Sequence, residues 1–211
     1  MGISRQELHD ALASRHGEAL QARFEAAAVA ICGLGGLGSN IAVCLARAGV
    51  GRLHLIDFDT VEPTNLNRQQ YAVSQLGRPK ALALRETLLA IAPYCEIRAD
   101  NVRISQDNFA SLLEDDSIIC EAFDGAEQKA MLVNGILERF PEKYLVAASG
   151  MAGIGSANAI KTRRITEKFY LCGDGQSDVF AVPGLFAPRV MACAAHQAQT
   201  VLRILAGELD A

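Results

Sequence analysis

Short apolar runs punctuate this chain at regular intervals, and each gives way to glycine or an acid before a stretch with helical spacing begins. Val-Ala-Ile-Cys at 29–32 is the first run, and 52–56, 96–103, 117–123 and 144–148 follow it. Runs this short, rich in apolar residues and partly β-branched, fit strands buried on both faces of a parallel sheet. Between them, residues 39–48 place Ile41, Leu45 and Ala48 at helical spacing, and 79–92, 106–114 and 126–140 also predict helices, the first of these three opening on Pro79. Such alternation predicts a Rossmann-like, doubly wound α/β fold, its sheet mostly parallel and helices on both faces.

The two ends of the chain depart from that alternation. Residues 4–25 read as one helix with a sparse apolar stripe of Leu8, Leu12, Leu20 and Phe24. Residues 157–160 and 166–172 read as strands joined by a basic tip, Lys161-Thr-Arg-Arg164, forming an antiparallel C-terminal extension at the sheet edge; 188–206 is the closing helix. With no repeat, linker or low-complexity run, residues 1–211 are expected to form a single domain with an N-terminal helical arm.

Polar chemistry gathers where the apolar runs end. Gly33-Leu-Gly-Gly-Leu-Gly-Ser39 fits G-x-G-x-x-G directly behind the first run. Gly33 permits the tight turn, Gly35 lets backbone approach a phosphate, and Gly38 lets the next helix pack against the sheet. The start of that helix offers free N–H groups and a positive dipole end to an anion. Asp57 closes the second run about 20 residues on, where a carboxylate accepts from ribose hydroxyls. Asn65, Arg68, Gln69, Gln70 and Lys80 follow in an irregular polar stretch. A dinucleotide gives its pyrophosphate to backbone, whereas cleavage of a triphosphate develops charge that cations must offset, a role that suits Arg68 and Lys80. A triphosphate also brings Mg²⁺, which takes one or two carboxylates; Asp124, at the tip of the fourth run, is the candidate.

Composition narrows the reading further. A net charge of −4, no Trp and no basic cluster beyond Arg163-Arg164 exclude nucleic acid as the main ligand. No stretch is long and apolar enough to span a bilayer. Six scattered cysteines without any C-x-x-C, behind a polar start, favour a reducing cytoplasm and remove the common structural zinc signature. The four histidines share no metal-ligand spacing and read as structural or surface residues. A Rossmann-type NAD-binding oxidoreductase or sensor is the competing reading; Arg68, Lys80 and Asp124 oppose it, as does the lack of length for a substrate domain.

Gly33-Leu-Gly-Gly-Leu-Gly-Ser39, Asp57-Phe-Asp59, Asn65-Leu-Asn-Arg68-Gln69, Gly77-Arg-Pro-Lys80 and Gly184-Leu-Phe-Ala-Pro188 together resemble the ThiF/MoeB/HesA family, adenylating enzymes related to ubiquitin activators. The resemblance implies that the C-terminal Gly-Gly carboxylate of a small ubiquitin-like sulfur carrier attacks the α-phosphate of ATP, giving acyl-adenylate and pyrophosphate. The carrier implied is ThiS-like, for thiamine synthesis, with a MoaD-like carrier of molybdopterin synthesis as the alternative. Dehydration of a modified tRNA base would use the same chemistry, but the weak basic character speaks against it. By the same resemblance Gly33, Gly35, Gly36, Gly38, Asp57, Asp59, Asn65 and Gln69 lie on the nucleotide side, Asp57 at the ribose. Arg68 and Lys80 meet the phosphates, Asp124 carries magnesium, and Arg15 of the N-terminal arm reaches the triphosphate of a homodimer partner.

The chain also departs from that family pattern. Glu121 and Gly125 stand where the family motif has Asp and Asn. Two C-x-x-C pairs of longer members are missing, so no zinc is expected. Asp178-Val-Phe-Ala-Val-Pro183 lacks the cysteine of thiamine-pathway members, which leaves Cys172, expected at an exposed strand end, as the candidate sulfur-transfer thiol.

Overall fold

The computed structural model describes residues 2–178, 181–182 and 184–210. Val179, Phe180 and Pro183, in the segment that lacks the family cysteine, therefore lie outside the described residues, as do Met1 and Ala211.

All five residues of β1 (Ala28–Cys32) are buried, as a strand covered on both faces requires. Val29 and Ile31 enter one apolar cluster, and Ala30 and Cys32 enter a second. The first holds side chains of α3 (Gly36–Arg47), α4 (Lys80–Ile91) and α7 (Ala187–Ala206), the second those of α5 (Phe109–Leu112) and α6 (Ala126–Arg139). Helices thus cover both faces. Each fully buried Leu or Ile in these layers contributes about 1.5–3 kcal/mol of transfer free energy.

Among the described residues, seven strands form one sheet in the order β3-β2-β1-β4-β5-β7-β6. β2 (Arg52–Ile56), β3 (Glu96–Asp100), β4 (Ile118–Glu121), β5 (Tyr144–Ala148) and β7 (Phe169–Gly173) pair parallel with their neighbours from β1 outward. Only β6 (Lys161–Arg164) runs antiparallel, against β7. The order reverses between β1 and β4, the switch point where open α/β sheets bind ligands.

Several elements differ from the sequence expectation. The N-terminal helix is two, α1 (Arg5–His16) and α2 (Glu18–Ala26), because Gly17 adopts φ +85, a conformation that turns the chain out of the helix. α3 starts at Gly36, three residues before the expected start, so the glycine motif supplies its first turn. The 106–114 helix shortens to α5, and β3 ends at Asp100. The expected strand at 157–160 is a 3₁₀ turn, Ala157–Ala159, and the basic tip itself is β6. Charged residues suit β6 because it is an edge strand with side chains in solvent.

α1 buries none of its residues. His9 ties it to α2, with Nδ1 2.8 Å from Glu25 Oε1 and Nε2 3.0 Å from Glu18 Oε1. Hydrogen bonds to Glu25 and Glu18 raise the His9 pKa above its ordinary value, 6.5. A raised folded-state pKa adds stability that is complete below the unfolded value and lost as pH rises through the folded one. NMR titration of His9 is expected to show a midpoint above 6.5, returning to it in Glu25→Gln/Glu18→Gln.

Candidate active site

The carboxyl ends of β1, β2 and β4 converge on the glycine loop. Gly33 leaves β1 with φ +89, and a Cβ there would stand 2.9 Å from both the Ala122 carbonyl oxygen and the Phe123 ring. A Cβ on Gly38 would lie 1.8 Å from the Gly33 carbonyl oxygen. Both glycines serve close packing. Gly35 differs, since its nearest neighbour would be Gln69 Nε2 at 3.7 Å, and it caps α3 without any side-chain hydrogen bond. The first-turn amides of α3 are thus left for a ligand.

Asp57 is buried at the tip of β2. Its Oδ2 accepts from the Leu34 N–H at 2.6 Å and its Oδ1 from the Asp59 N–H at 2.8 Å. Burial raises its pKa above the usual carboxylate range, against the opposing pull of these two donors and of Lys80. Each oxygen retains a second lone pair. The Lys80 ammonium, itself buried, stands 2.9 Å from Oδ2 of half-exposed Asp59, and the Lys80 N–H donates to the Asp59 carbonyl at 2.8 Å. The Asp-Phe-Asp segment is therefore stitched to the start of α4.

Arg68 lies across Gly36, where its Cγ would be 3.4 Å from an added Cβ, and its Nη1 donates to the Thr64 carbonyl at 3.1 Å and to Asn67 Oδ1 at 2.8 Å. Burial lowers its pKa, and the negative charge of Asp124 opposes that shift. Asp124 is exposed behind β4. Asn65 is buried, its Oδ1 accepting from the Glu62 N–H at 2.9 Å to fix a 3₁₀ turn. Gln69 is buried beside Gly35 with its Oε1 lacking any hydrogen-bond partner. An orphaned acceptor beside an open glycine is a place for a ligand's O–H or N–H.

The structure brings the glycines, Asp57, Asp59, Asn65, Arg68, Gln69, Lys80 and Asp124 to one end of the sheet. It does not bring Arg15 there. α1 is anchored at the opposite end, where Tyr94 Oη donates to the Ile3 carbonyl at 2.7 Å and Leu12 packs on Gly49 ahead of β2. Cys172 is also displaced from expectation. It lies within β7 with no exposed surface, and burial raises its pKa. A β7 tip inside the sheet rather than at its rim accounts for this.

Sequence reasoning missed the residues that fasten the 65–71 loop to α3. Ser39 Oγ accepts from the Gln70 N–H at 3.1 Å, Asn40 Nδ2 donates to the Arg68 carbonyl at 3.1 Å, and Tyr71 Oη donates to the Leu34 carbonyl at 2.8 Å. Two adjacent polar residues opening an otherwise apolar helix were the available signal. Two buried ion pairs were missed as well. Glu121, fully buried, meets Lys129 Nζ at 2.5 Å and accepts from the Phe123 N–H, which shapes the turn carrying Asp124. Burial raises the Glu121 pKa even with Lys129 beside it.

The second pair clamps the far side of the site. Arg189, at the start of α7, meets Asp174 Oδ2 at 2.5 Å and donates to the carbonyls of Ala152, Gly155 and Ser156. Burial would raise the Asp174 pKa, but the Ser177 and Gln176 N–H groups and Arg189 outweigh it and hold it at about 2. A depressed carboxylate contributes stability above its unfolded pKa, lost as pH falls toward the folded value. Between pH about 4 and about 2 the wild type is expected to lose stability more steeply than Asp174→Asn, measured by urea unfolding.

A family model described as the ThiF family matches residues 8–211. The chain belongs to the ThiF family. Among relatives, molybdopterin-synthase adenylyltransferase of Salmonella typhimurium is 30% identical over 191 residues, spanning 88% of this chain and 76% of that protein. Sulfur carrier protein adenylyltransferase of Thermus thermophilus is 34% identical over 127 residues, 60% of this chain and 42% of that one. Among solved structures, E. coli tRNA N6-threonylcarbamoyladenosine dehydratase in complex with ATP superposes with a TM-score of 0.86 at 23% identity, covering 99% of this chain and 98% of that one. That likeness is one of fold.

Proposed function

We propose that this chain is an ATP-dependent adenylyltransferase that activates the C-terminal carboxylate of a ubiquitin-like sulfur carrier protein. The observation that carries the reading is that buried Lys80, part-buried Arg68 and exposed Asp124 share one end of the sheet with the uncapped start of α3, which is open at Gly35. The orphaned Gln69 Oε1 and the free lone pairs of Asp57 supply acceptors for ribose hydroxyls beside it. NAD would use the glycine loop but leave those two cations without work.

In this reading the amides of α3 and the Arg68 and Lys80 side chains hold the triphosphate and orient its α-phosphorus toward the carrier carboxylate. A carboxylate oxygen bonds to that phosphorus as the bridging bond to the β-phosphate breaks, and pyrophosphate departs with the electron pair. Lys80, held by Asp59, offsets charge that builds on the α-phosphate oxygens. Asp124 is the residue to hold a magnesium ion, which supplies charge neutralisation on the departing pyrophosphate; one carboxylate suits an ion bound mainly by phosphates and water. Cys172, being buried, takes no part in this step.

Among carriers, a ThiS-like protein fits a sequence without C-x-x-C pairs, and a MoaD-like protein is the alternative suggested by the molybdopterin-synthase relatives. A homodimer belongs to the reading, since an exposed Arg15 at the opposite end of the sheet could serve only a partner's site. Six free cysteines suit a cytoplasmic setting. Intact mass spectrometry tests the carrier assignment. With ATP and Mg²⁺, a ThiS-like carrier ending in Gly-Gly should gain one adenylyl group; modification of a MoaD-like carrier alone would reassign the pathway, and modification of neither would remove the carrier from the reading.

A further inference from the structure

Phe58 stands between Asp57 and Asp59 with its side chain 46% exposed. The Arg103 guanidinium lies over that ring, 3.9 Å from its centroid. Arg103 is exposed and, among the described residues, has no ion pair or side-chain hydrogen bond. A single exposed aromatic ring needs no explanation. This one is flanked by both acids of the site and carries an otherwise unoccupied cation.

Topology says what could lie there. The glycine loop follows β1, the ribose-side acid follows β2, Phe58 comes next, and Arg103 comes three residues after β3. In the order β3-β2-β1-β4, a nucleotide with phosphates over β1 and ribose over β2 has its base over the tips of β2 and β3. We infer that Arg103 and Phe58 form a stacking shelf for the nucleobase, the guanidinium plane lying between the Phe58 ring and the base. A guanidinium is planar, weakly hydrated and able to stack on both faces, which an ammonium is not. The shelf touches base faces and not edges, so it strengthens binding of any purine without choosing among them. The inference rests on the nucleotide site proposed above and assigns it a subsite.

Calorimetric or NMR titration of wild type, Arg103→Ala and Arg103→Lys with ATP and with adenosine tests it. Arg103→Ala is expected to weaken both ligands by the same factor, about tenfold, with unchanged thermal unfolding. Arg103→Lys, which keeps the charge and loses the plane, should not restore them. Weakening of ATP with adenosine unchanged would make Arg103 a phosphate cation and overturn the shelf, as would rescue by Lys or no change in either ligand. Wild type that binds neither ligand would instead remove the nucleotide reading itself.

Discussion

Lys80→Ala should leave a folded protein whose pyrophosphate exchange is slower by about a hundredfold to a thousandfold. The ammonium is buried, so its field is little screened by water, and its ion-pair partner, Asp59, holds it in place. In the proposed reading, removing it takes away a preorganised cation just where negative charge grows on the α-phosphate. The fold has little stake in it, because the partner left behind is half exposed and can be solvated. Thermal unfolding within a few degrees of wild type, beside the rate loss, is the expected pair of results. Equal loss of rate and fold would make Lys80 a structural residue.

Substitution by Ala should have different effects at Gly35 and at Gly38, one turn of helix apart. At Gly38 the new Cβ would stand 1.8 Å from the Gly33 carbonyl oxygen and 3.1 Å from Ile31 Cγ2, so β1 and α3 must move apart. Gly38→Ala is expected to lower unfolding free energy by about 3 kcal/mol in urea titration, the gain in helix propensity being smaller than the overpacking. At Gly35 the new methyl meets only Gln69 Nε2 at 3.7 Å. Gly35→Ala should fold as wild type does and lose at least about tenfold in ATP affinity, since the methyl takes the space through which a phosphate approaches backbone. A stability loss at Gly35 matching that at Gly38 would mean that the loop is shaped for packing alone.

Much of this was legible because the informative residues are local. β2 and β5 fall where their apolar runs lie, and the glycine loop, Asp57, Arg68 and Lys80 stand in short motifs whose spacing already fixes one end of a sheet. What escaped depends on contacts between distant segments. Nothing near Gly17 distinguishes a tolerated helical glycine from a break, and α2 packing on α7 settles it. Lys161-Thr-Arg-Arg164 has the composition of a turn and becomes a strand only because β7 offers it an edge. Cys172 appeared to sit at a rim because Gly173-Asp-Gly follows it, but β5 and β6 pair on either side. Arg189 was one of two arginines in an apolar helix, and its meaning came from Asp174 and three carbonyls that only folding brings near. Arg15 likewise belongs to no site within its own chain.

The most direct measurement is exchange of labelled pyrophosphate into ATP with Mg²⁺, for wild type and Asp124→Ala, with ThiS-like carrier, with MoaD-like carrier and with none. Exchange that requires a carrier and disappears in Asp124→Ala is the predicted result. Wild type that shows no exchange with either carrier, while binding ATP or NAD, would contradict adenylation and leave a nucleotide-binding protein of another kind.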